Sequence, residues 1–288
     1  MGRSVTALAV IVPTYRRPGA VCALLGDVLA QWRPGDEIVV VDQSPEVDRA
    51  PVAAFCAAQA GISLLHAPPG LPAARNLGIG RSTAPAVLFL DDDARLHPGC
   101  LDGHRRVFDD PTVGGAVGRI VERALAPNAR RTTNRVDRGG RIRTRLDGWA
   151  RCDIETLKGA NMSLRRQALA EAGPFDPGFG GTALLEDADL SVRVRRAGWR
   201  LVFAPDAGVD HLHLPVGGVR TGDPGATARW RLHNTARFVR RHGRRRDLPW
   251  VLAVQLAIAA RFGVTTRDPS APWRLARAFV AGWRGAEP

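Results

Sequence analysis

Three adjacent aspartates, Asp91, Asp92 and Asp93, directly follow the apolar run 86–90. The run predicts a buried strand, so the carboxylates are expected at its C-terminal end, where open α/β sheets bind ligands. Adjacent acids repel one another, and a hard divalent cation with oxygen ligands relieves that repulsion. Side chains alternate along a strand, so Asp91 and Asp93 share a face if the strand continues, and Asp92 points away. A solvated acidic turn is the alternative.

The elements that would position these acids alternate between short apolar strands and helices over the first 120 residues. Strands are predicted at 8–12, 37–41, 62–65 and 86–90, and helices near 20–31, 52–60 and 72–79. A continuous apolar run such as 8–12 is typical of a strand covered on both faces. The repeated order of strand and helix predicts an α/β fold with a mostly parallel sheet covered by helices.

The second half of the chain is less regular. Residues 122–150 carry many arginines and few apolar residues, which predicts a mobile or partly ordered excursion. A helix is expected over Glu186–Ala197, closed by Gly198. The remaining expected elements are strands at 200–203 and 208–212, followed by helices from residue 224 to the end with breaks near 243 and 269.

Composition limits the possible classes of protein. The 288 residues carry a net charge of +13 and contain one lysine, Lys158, so the excess is arginine, which attracts phosphates, nucleic acid or anionic lipid. The four cysteines are far apart and form no C-x-x-C pair, which favours reduced thiols in the cytoplasm. The apolar stretch 5–12 lacks a cleavage site, so no signal peptide is expected. The apolar segment 250–262 is short and is interrupted by Gln255 and Arg261, so we expect it not to span a bilayer.

Six short motifs occur in a fixed order between residues 8 and 198, and together they resemble family 2 glycosyltransferases, which have the GT-A fold. The motifs are Ala9–Pro18, Val39–Ser44, Ala73–Ile79, Leu88–Asp93, Gly159–Arg166 and Glu186–Arg193. The resemblance implies a GT-A domain over residues 1–215, with a donor half to about 120 and an acceptor half beyond it. A helical extension would occupy 216–288.

The implied activity is inverting transfer of a sugar from a UDP-, dTDP- or GDP-sugar to a hydroxyl acceptor, with Mn²⁺ or Mg²⁺ as cofactor. The acceptor would be a glycan, a lipid-linked saccharide or a natural product. By this resemblance Asp93 and His211 bind the metal, and His213 is the alternative to His211. Asp91 would face the ribose, and Asp187 would be the catalytic base. Further implied contacts with the nucleotide sugar or the acceptor are Pro13, Thr14, Tyr15, Asp42, Arg75, Asp92, Asn161 and Glu186.

Several of these positions also have a simpler interpretation. Asp42 could cap its strand, and Tyr15 could stack on the nucleobase or pack against the protein. Gln43 departs from the family pattern, which leaves the base open. Arg75 could be a solvated arginine, although a guanidinium suits a diphosphate. Asp189 and Arg193 are expected to form an internal ion pair.

Two other functions compete with sugar transfer. A sugar nucleotidyltransferase would need a glycine-rich basic loop after the first strand, where this chain has the segment 13–18 with two prolines. An RNA-binding protein would fit the charge, but one tyrosine and nine phenylalanines give little aromatic interleaving. No specific nucleic acid partner is therefore expected. The cluster 240–246 beside an apolar helix could contact an anionic membrane from the cytoplasm, although a solvated basic face beside a core helix is favoured.

Overall fold

The computed structural model describes residues 6–122, 132–218 and 223–288. The strands are Leu8–Thr14 (β1), Glu37–Asp42 (β2), Ile62–His66 (β3), Ala86–Leu90 (β4), Ala94–Leu96 (β5), Val113–Glu122 (β6), Thr133–Val136 (β7), Ile142–Arg145 (β8), Cys152–Asp153 (β9), Asn161–Arg165 (β10) and Arg200–His211 (β11). The helices are Pro18–Leu29 (α1), Ala50–Ala57 (α2), Leu71–Arg81 (α3), Cys100–Val107 (α4), Arg166–Ala172 (α5), Glu186–Arg196 (α6), Pro224–His242 (α7), Leu248–Thr266 (α8) and Ala271–Arg284 (α9).

One large sheet with the order β3-β2-β1-β4-β10-β6-β11-β5 forms the centre of the protein. The first four of these strands are parallel, and β10 pairs antiparallel with both β4 and β6. Every residue of β1 and of β4 is buried, as the continuous apolar runs predicted. In the sheet, β1 lies between β2 and β4, so the strand order changes direction at β1. At such a point a crevice opens at the carboxyl ends of the strands.

Two hydrophobic cores organise the described residues. The larger core surrounds the sheet. The smaller core packs Phe179, Leu185 and Ala188 against the C-terminal helices through Leu232 and Phe279. The helices α7, α8 and α9 are the predicted helical end of the chain, and they are anchored beside the start of α6. The division into domains at residue 215 stays a prediction.

Two expectations about local structure are corrected and one is made more specific. The basic segment 122–150, expected to be mobile or partly ordered, contains an antiparallel hairpin of β7 and β8 in its described part. Arg123, Arg130 and Arg131 lie outside the described residues. The two strands expected at 200–203 and 208–212 are one strand, β11, with an irregularity in register between Ala204 and Val209.

The second correction concerns the apolar segment near residue 250. It continues as a helix over Arg245–Thr266, which has 22 residues and a mean hydropathy of 1.5. By length and composition alone this helix could cross a membrane, contrary to the expectation that the segment is too short. Only 22% of its apolar window is buried inside the protein.

Candidate active site

The predicted polar residues gather at the carboxyl edge of the sheet. Thr14 ends β1, Asp42 ends β2, the three aspartates follow β4, and His211 ends β11. The parallel register of β1 and β2 places Thr14 directly opposite Asp42. The geometry of parallel strands therefore brings together groups that are far apart in the sequence.

A cleft of about 520 Å³ opens at this edge. Thr14, Tyr15, Gln43 and Asp91 contribute to its walls. The remaining lining residues are Pro13, Arg16, Arg17, Pro69, Gly70, Leu71, Asp92, Gly181, Val216, Gly217 and Gly218. Thr14 is buried, whereas Tyr15 is half-buried and has the Arg16 guanidinium 5.4 Å from its ring centroid.

Two of the three aspartates converge although the strand ends before them. Residues 91–93 form a turn, in which the Ala94 amide donates to the Asp91 carbonyl. Nε2 of His211 lies 3.1 Å from Oδ1 of Asp93 and 3.8 Å from Oδ2 of Asp91. Ligand atoms of these three residues all lie within 4.8 Å of one another. The turn thus achieves the convergence that a continued strand was expected to give.

Asp93 is suited to remain ionised in this cluster. Burial alone would raise the pKa of its carboxyl, but the hydrogen bond and charge of His211 and the charge of Arg17 hold it at about 2. His211 is buried and its Nδ1 has no hydrogen-bond partner among the described residues. His213 lies outside the cluster with the aspartates, and its Nε2 is 3.3 Å from Glu122. Glu122, His211 and His213 form a second possible metal-binding group that shares His211.

Asp92 points the other way, towards the end of β1. Its carboxylate accepts hydrogen bonds from the Thr14 hydroxyl at 2.8 Å, the Tyr15 amide at 3.3 Å and the Arg17 guanidinium at 2.8 Å. Burial raises the pKa of Asp92 to about 6 despite these donors. Asp92 therefore joins β1 to the aspartate turn. Its carboxylate lies at the margin of the cleft and is hydrogen-bonded to other groups of the protein.

Arg75 is enclosed among carboxylates and aromatic rings. Its side chain is 1% exposed, pairs with Glu186, and lies 3.4 Å from Asp91. The rings of Phe89 and Phe175 lie 5.8 and 5.4 Å from the guanidinium carbon. The solvated arginine considered from the sequence is therefore wrong, because the guanidinium joins the turn after β4 to the start of α6.

A second cavity of about 310 Å³ adjoins the cleft on the side of α6. Asp187 lines it together with Lys158 and Gly159. Leu71 and Asp91 line both this cavity and the cleft, so they mark the junction between the two spaces. Asp91 is the polar group at that junction.

The three acids that open α6 have different surroundings. Glu186 pairs with Arg75, and Asp189 is fully buried with Arg193, Arg241 and His242 around it. The ion pair expected between Asp189 and Arg193 is confirmed. Asp187 instead accepts hydrogen bonds from backbone amides, those of Gly159 at 3.0 Å and Ala188 at 2.7 Å.

Asp187 is therefore the acid of the three that has no ion pair to a described side chain. Burial raises its pKa, while the two amides and the charges of Arg75 and Lys158 partly oppose that rise. Burial also raises the pKa of Glu186, and Arg75 opposes the rise. Gly159 has no Cβ, and one built there would collide with the guanidinium of Arg75.

Comparison with known proteins places this arrangement in a family. The sequence profile described as "Glycosyl transferase family 2" matches residues 9–173, which is more than half of the chain. The chain belongs to glycosyltransferase family 2. The match covers β1 to α5 and includes most of the cleft, the aspartate turn and Arg75, so the resemblance to the family is confirmed. Five of the six motifs lie inside the matched residues, and the sixth, Glu186–Arg193, lies beyond them.

Curated relatives of this family 2 chain are moderately similar to it in sequence. A pre-mycofactocin glycosyltransferase of Mycobacterium tuberculosis is 32% identical over 190 residues, which is 62% of this chain and 38% of the relative. An uncharacterised glycosyltransferase of Rickettsia conorii is 33% identical over 89 residues, which is 31% of this chain and 15% of that protein. The chain thus spans well under half the length of these curated relatives.

Solved structures confirm the GT-A fold of this family 2 chain. A structure of GalNAc-T7 with UDP, GalNAc and Mn²⁺ superposes with a TM-score of 0.64 at 16% identity, covering 83% of this chain and 48% of that one. The mannosyltransferase PcManGT of Pyrobaculum calidifontis, in complex with GDP-Man and Mn²⁺, gives a TM-score of 0.58 at 20% identity. That alignment covers 98% of this chain and 76% of the mannosyltransferase.

The surroundings of Asn161 contradict the role that was expected for it. Its side chain is fully buried, its Oδ1 lies 2.8 Å from Nε2 of His104, and its Nδ2 donates to the Ala207 carbonyl at 2.7 Å. Nδ1 of His104 is in turn 2.8 Å from the Ser163 hydroxyl. Because both ends of its amide already have partners inside the protein, Asn161 stabilises the junction of β10, α4 and β11 and does not serve the contact with a sugar or an acceptor that the resemblance implied.

Sequence reasoning missed one residue of the family 2 site. Arg17 is almost buried, and its guanidinium lies 2.8 Å from Asp92 and 3.0 Å from Asp93. It also donates to the carbonyl groups of Leu214 and Val216, at 2.8 and 2.7 Å. Arg17 joins the aspartate turn to the segment after β11. The only available sequence signal was its place in the first motif, in a chain rich in arginine.

Proposed function

We propose that this chain transfers a sugar from a nucleoside-diphosphate sugar to a hydroxyl group of an acceptor, with inversion at the anomeric carbon. The observation that carries the proposal is the position of Asp91 at the junction of the cleft and the cavity that contains Asp187. The cleft would hold the nucleotide and the cavity the acceptor, so the sugar would lie between them. The bound UDP and GDP-Man in the two structural neighbours support this class of donor.

Asp91, Asp93 and His211 fit a divalent cation, because two carboxylates and Nε2 of an imidazole converge within 4.8 Å of one another. An imidazole ligand favours Mn²⁺ over Mg²⁺, which prefers oxygen ligands and water. When bound, the cation would neutralise the diphosphate and stabilise the charge of the leaving nucleoside diphosphate. Mn²⁺ is present in both structural neighbours.

Asp187 is proposed to take the proton from the acceptor hydroxyl as that oxygen attacks the anomeric carbon. A base needs free lone pairs, and Asp187 has none of the ion pairs that occupy Glu186 and Asp189. Attack from the side opposite the leaving group inverts the anomeric centre. Glu186, which Arg75 holds in place, would contact the acceptor.

Asp42 and Tyr15 are proposed to recognise the nucleoside, with Pro13 and Thr14 beside them. Oδ1 of Asp42 accepts the Ser44 amide at 2.8 Å, and its buried Oδ2 has no described partner. A buried acceptor without a donor is costly, and the N–H of a nucleobase or a ribose hydroxyl would satisfy it. We expect Asp42→Ala to weaken nucleoside-diphosphate binding and to leave Mn²⁺–pyrophosphate binding unchanged in calorimetry.

The experiment that tests the proposed function is mass spectrometry of donor breakdown across a panel of nucleotide sugars with Mn²⁺. We expect slow release of nucleoside diphosphate from one donor class, abolished by a chelator and by Asp93→Ala. The matched control is Asp206→Ala. Asp206 is exposed, and among the described residues its one ion pair is a surface pair with Arg106. A parallel reaction contains added pyrophosphate, and formation of nucleoside triphosphate and sugar 1-phosphate there would identify a nucleotidyltransferase and refute sugar transfer, as would stability of every donor.

A further inference from the structure

The helix α8 buries only one narrow stripe of its surface and leaves several large apolar side chains exposed. Its buried residues recur every four positions, at Val251, Gln255, Ala259 and Gly263. Nε2 of Gln255 donates to the Gly139 carbonyl at 2.7 Å, so this stripe is fixed to the protein. An ordinary surface helix instead buries most of its large apolar side chains.

The exposed face of α8 carries large apolar side chains that continue onto α9. Trp250 is 57% exposed, Leu256 59% and Val264 79%, and Trp273 on α9 is 70% exposed. Ala253, Ala257 and Ala260 lie among them and are also exposed. We call this surface the α8–α9 apolar face. Contiguous exposed apolar surface of this kind marks a binding site, because leaving it in water is unfavourable.

Positive charge surrounds the α8–α9 apolar face. Residues 244–288 contain eight arginines and three acidic residues. Arg244, Arg245 and Arg246 are exposed immediately before α8, and Arg267 is exposed directly after it. Arg274 on α9 is also exposed and pairs with Asp268. An apolar centre with a basic margin is complementary to a surface that offers hydrocarbon below a layer of negative charge.

We propose that the α8–α9 apolar face docks this protein on an anionic lipid bilayer, with α8 lying in the plane of the membrane. Trp250 and Trp273 would enter the interfacial layer, where indole rings are favoured. The arginines would contact anionic headgroups. A second copy of the chain fits this face less well, because pairing two such faces would bring their arginine-rich margins together.

A membrane-spanning arrangement of α8 fits less well than the in-plane one. The stripe that contains Gln255 packs on the hairpin of β7 and β8, and Gly263 contacts Pro272 at the start of α9. Lipid around the whole helix would break these contacts and expose Gln255 to hydrocarbon, where a polar group without a partner is costly. The in-plane arrangement retains them.

The test is co-sedimentation of the full chain with phosphatidylcholine vesicles that contain about 30% phosphatidylglycerol, at about 0.1 M salt. Binding is expected, with at least roughly tenfold weaker binding to pure phosphatidylcholine because the basic margin contributes electrostatically. The double variant Leu256→Glu/Trp273→Glu should bind the anionic vesicles at least roughly tenfold more weakly. Both residues are exposed, so its circular dichroism and melting temperature should match those of the unchanged protein.

Val47→Glu is the matched control, because Val47 is 87% exposed, lies between β2 and α2 outside the α8–α9 apolar face, and should not affect vesicle binding. Equal binding by the double variant and the unchanged protein would overturn the proposal, as would absence of binding to anionic vesicles. Light scattering that shows a dimer converted to a monomer by the double variant would assign the face to self-association. Resistance of the bound chain to alkaline carbonate would show that α8 spans the bilayer, which also contradicts docking in the plane.

Discussion

Nε2 of His211 lies 3.1 Å from Oδ1 of Asp93, so a side chain at the end of β11 meets one from the turn after β4. This contact brings together a carboxylate that is almost fully buried and an imidazole whose Nδ1 has no hydrogen-bond partner in the described part of the chain. Both groups can bind a cation without a large rearrangement of the fold. The segment after β11 is held beside them by Arg17.

The contact between His211 and Asp93 predicts where Mn²⁺ binds. His211→Ala should lower Mn²⁺ affinity roughly tenfold or more, since even an indirect partner of a metal ligand is worth that much. His213→Ala should change it little, because His213 pairs with Glu122 outside the group that contains the aspartates. Electron paramagnetic resonance of free and bound Mn²⁺ measures both. Equal losses in the two variants would place the ion between Glu122, His211 and His213.

Arg17 is predicted to stabilise the aspartate turn through its charge. Arg17→Ala leaves Asp92 and Asp93 buried without their guanidinium, which should cost about 3–5 kcal/mol of unfolding free energy. Mn²⁺ supplies positive charge to the same turn, so it should raise the melting temperature of this variant more than that of the unchanged protein. The control is Arg106→Ala, which removes a surface ion pair. Urea denaturation and thermal shift with and without Mn²⁺ test the idea, and an equal Mn²⁺ effect in both proteins would contradict it.

Asp187 is predicted to control the acid side of the pH–rate profile. A base works only when deprotonated, and burial raises the pKa of Asp187, so the rate should begin to fall at a higher pH than for an ordinary aspartate. The other charged residues that line the same cavity are Arg75, Asp91, Lys158 and Glu186. Asp187→Asn should lower nucleoside-diphosphate release roughly 10²-fold or more and remove this fall, with donor affinity unchanged.

Asp189→Asn is the control for Asp187, because Asp189 is fully buried in ion pairs with Arg193 and Arg241. It should lower the melting temperature and leave the pH at which the rate falls unchanged. A rate near normal in Asp187→Asn would move the base to another acid. A large loss of melting temperature in that variant would indicate that its carboxylate mainly holds the start of α6.

His104 is predicted to make stability depend on pH. Burial lowers the pKa of His104 to about 4 from the ordinary 6.5, so the folded protein keeps this imidazole neutral. Between pH 6.5 and about 4 this imidazole is protonated in the unfolded chain and neutral in the folded protein. The free energy of unfolding therefore falls as the pH falls. The contribution is at most about 1.4 kcal/mol per pH unit. Urea midpoints between pH 7 and 5 should fall less steeply in His104→Gln, and equal slopes would contradict the assignment.

The sequence by itself determined the fold class and the chemistry of the acids. Apolar runs long enough to form buried strands lead into Asp42 and Asp91. A strand that is covered on both faces does not show alternating polar residues, so these continuous runs predict a parallel sheet. The order of the motifs then predicted the family. These properties are local, since each depends on residues that are neighbours along the chain.

Only the tertiary structure decided which polar groups meet. Asn161 and Asp187 both lie in motifs. The side chain of Asn161 on β10 is buried in the core, whereas that of Asp187 on α6 lines a cavity. Arg17 could not be distinguished from the many other arginines until the segment after β11 returned to β1. The same holds for α8, whose composition predicts a core helix, because which side of a helix faces water depends on what packs against it.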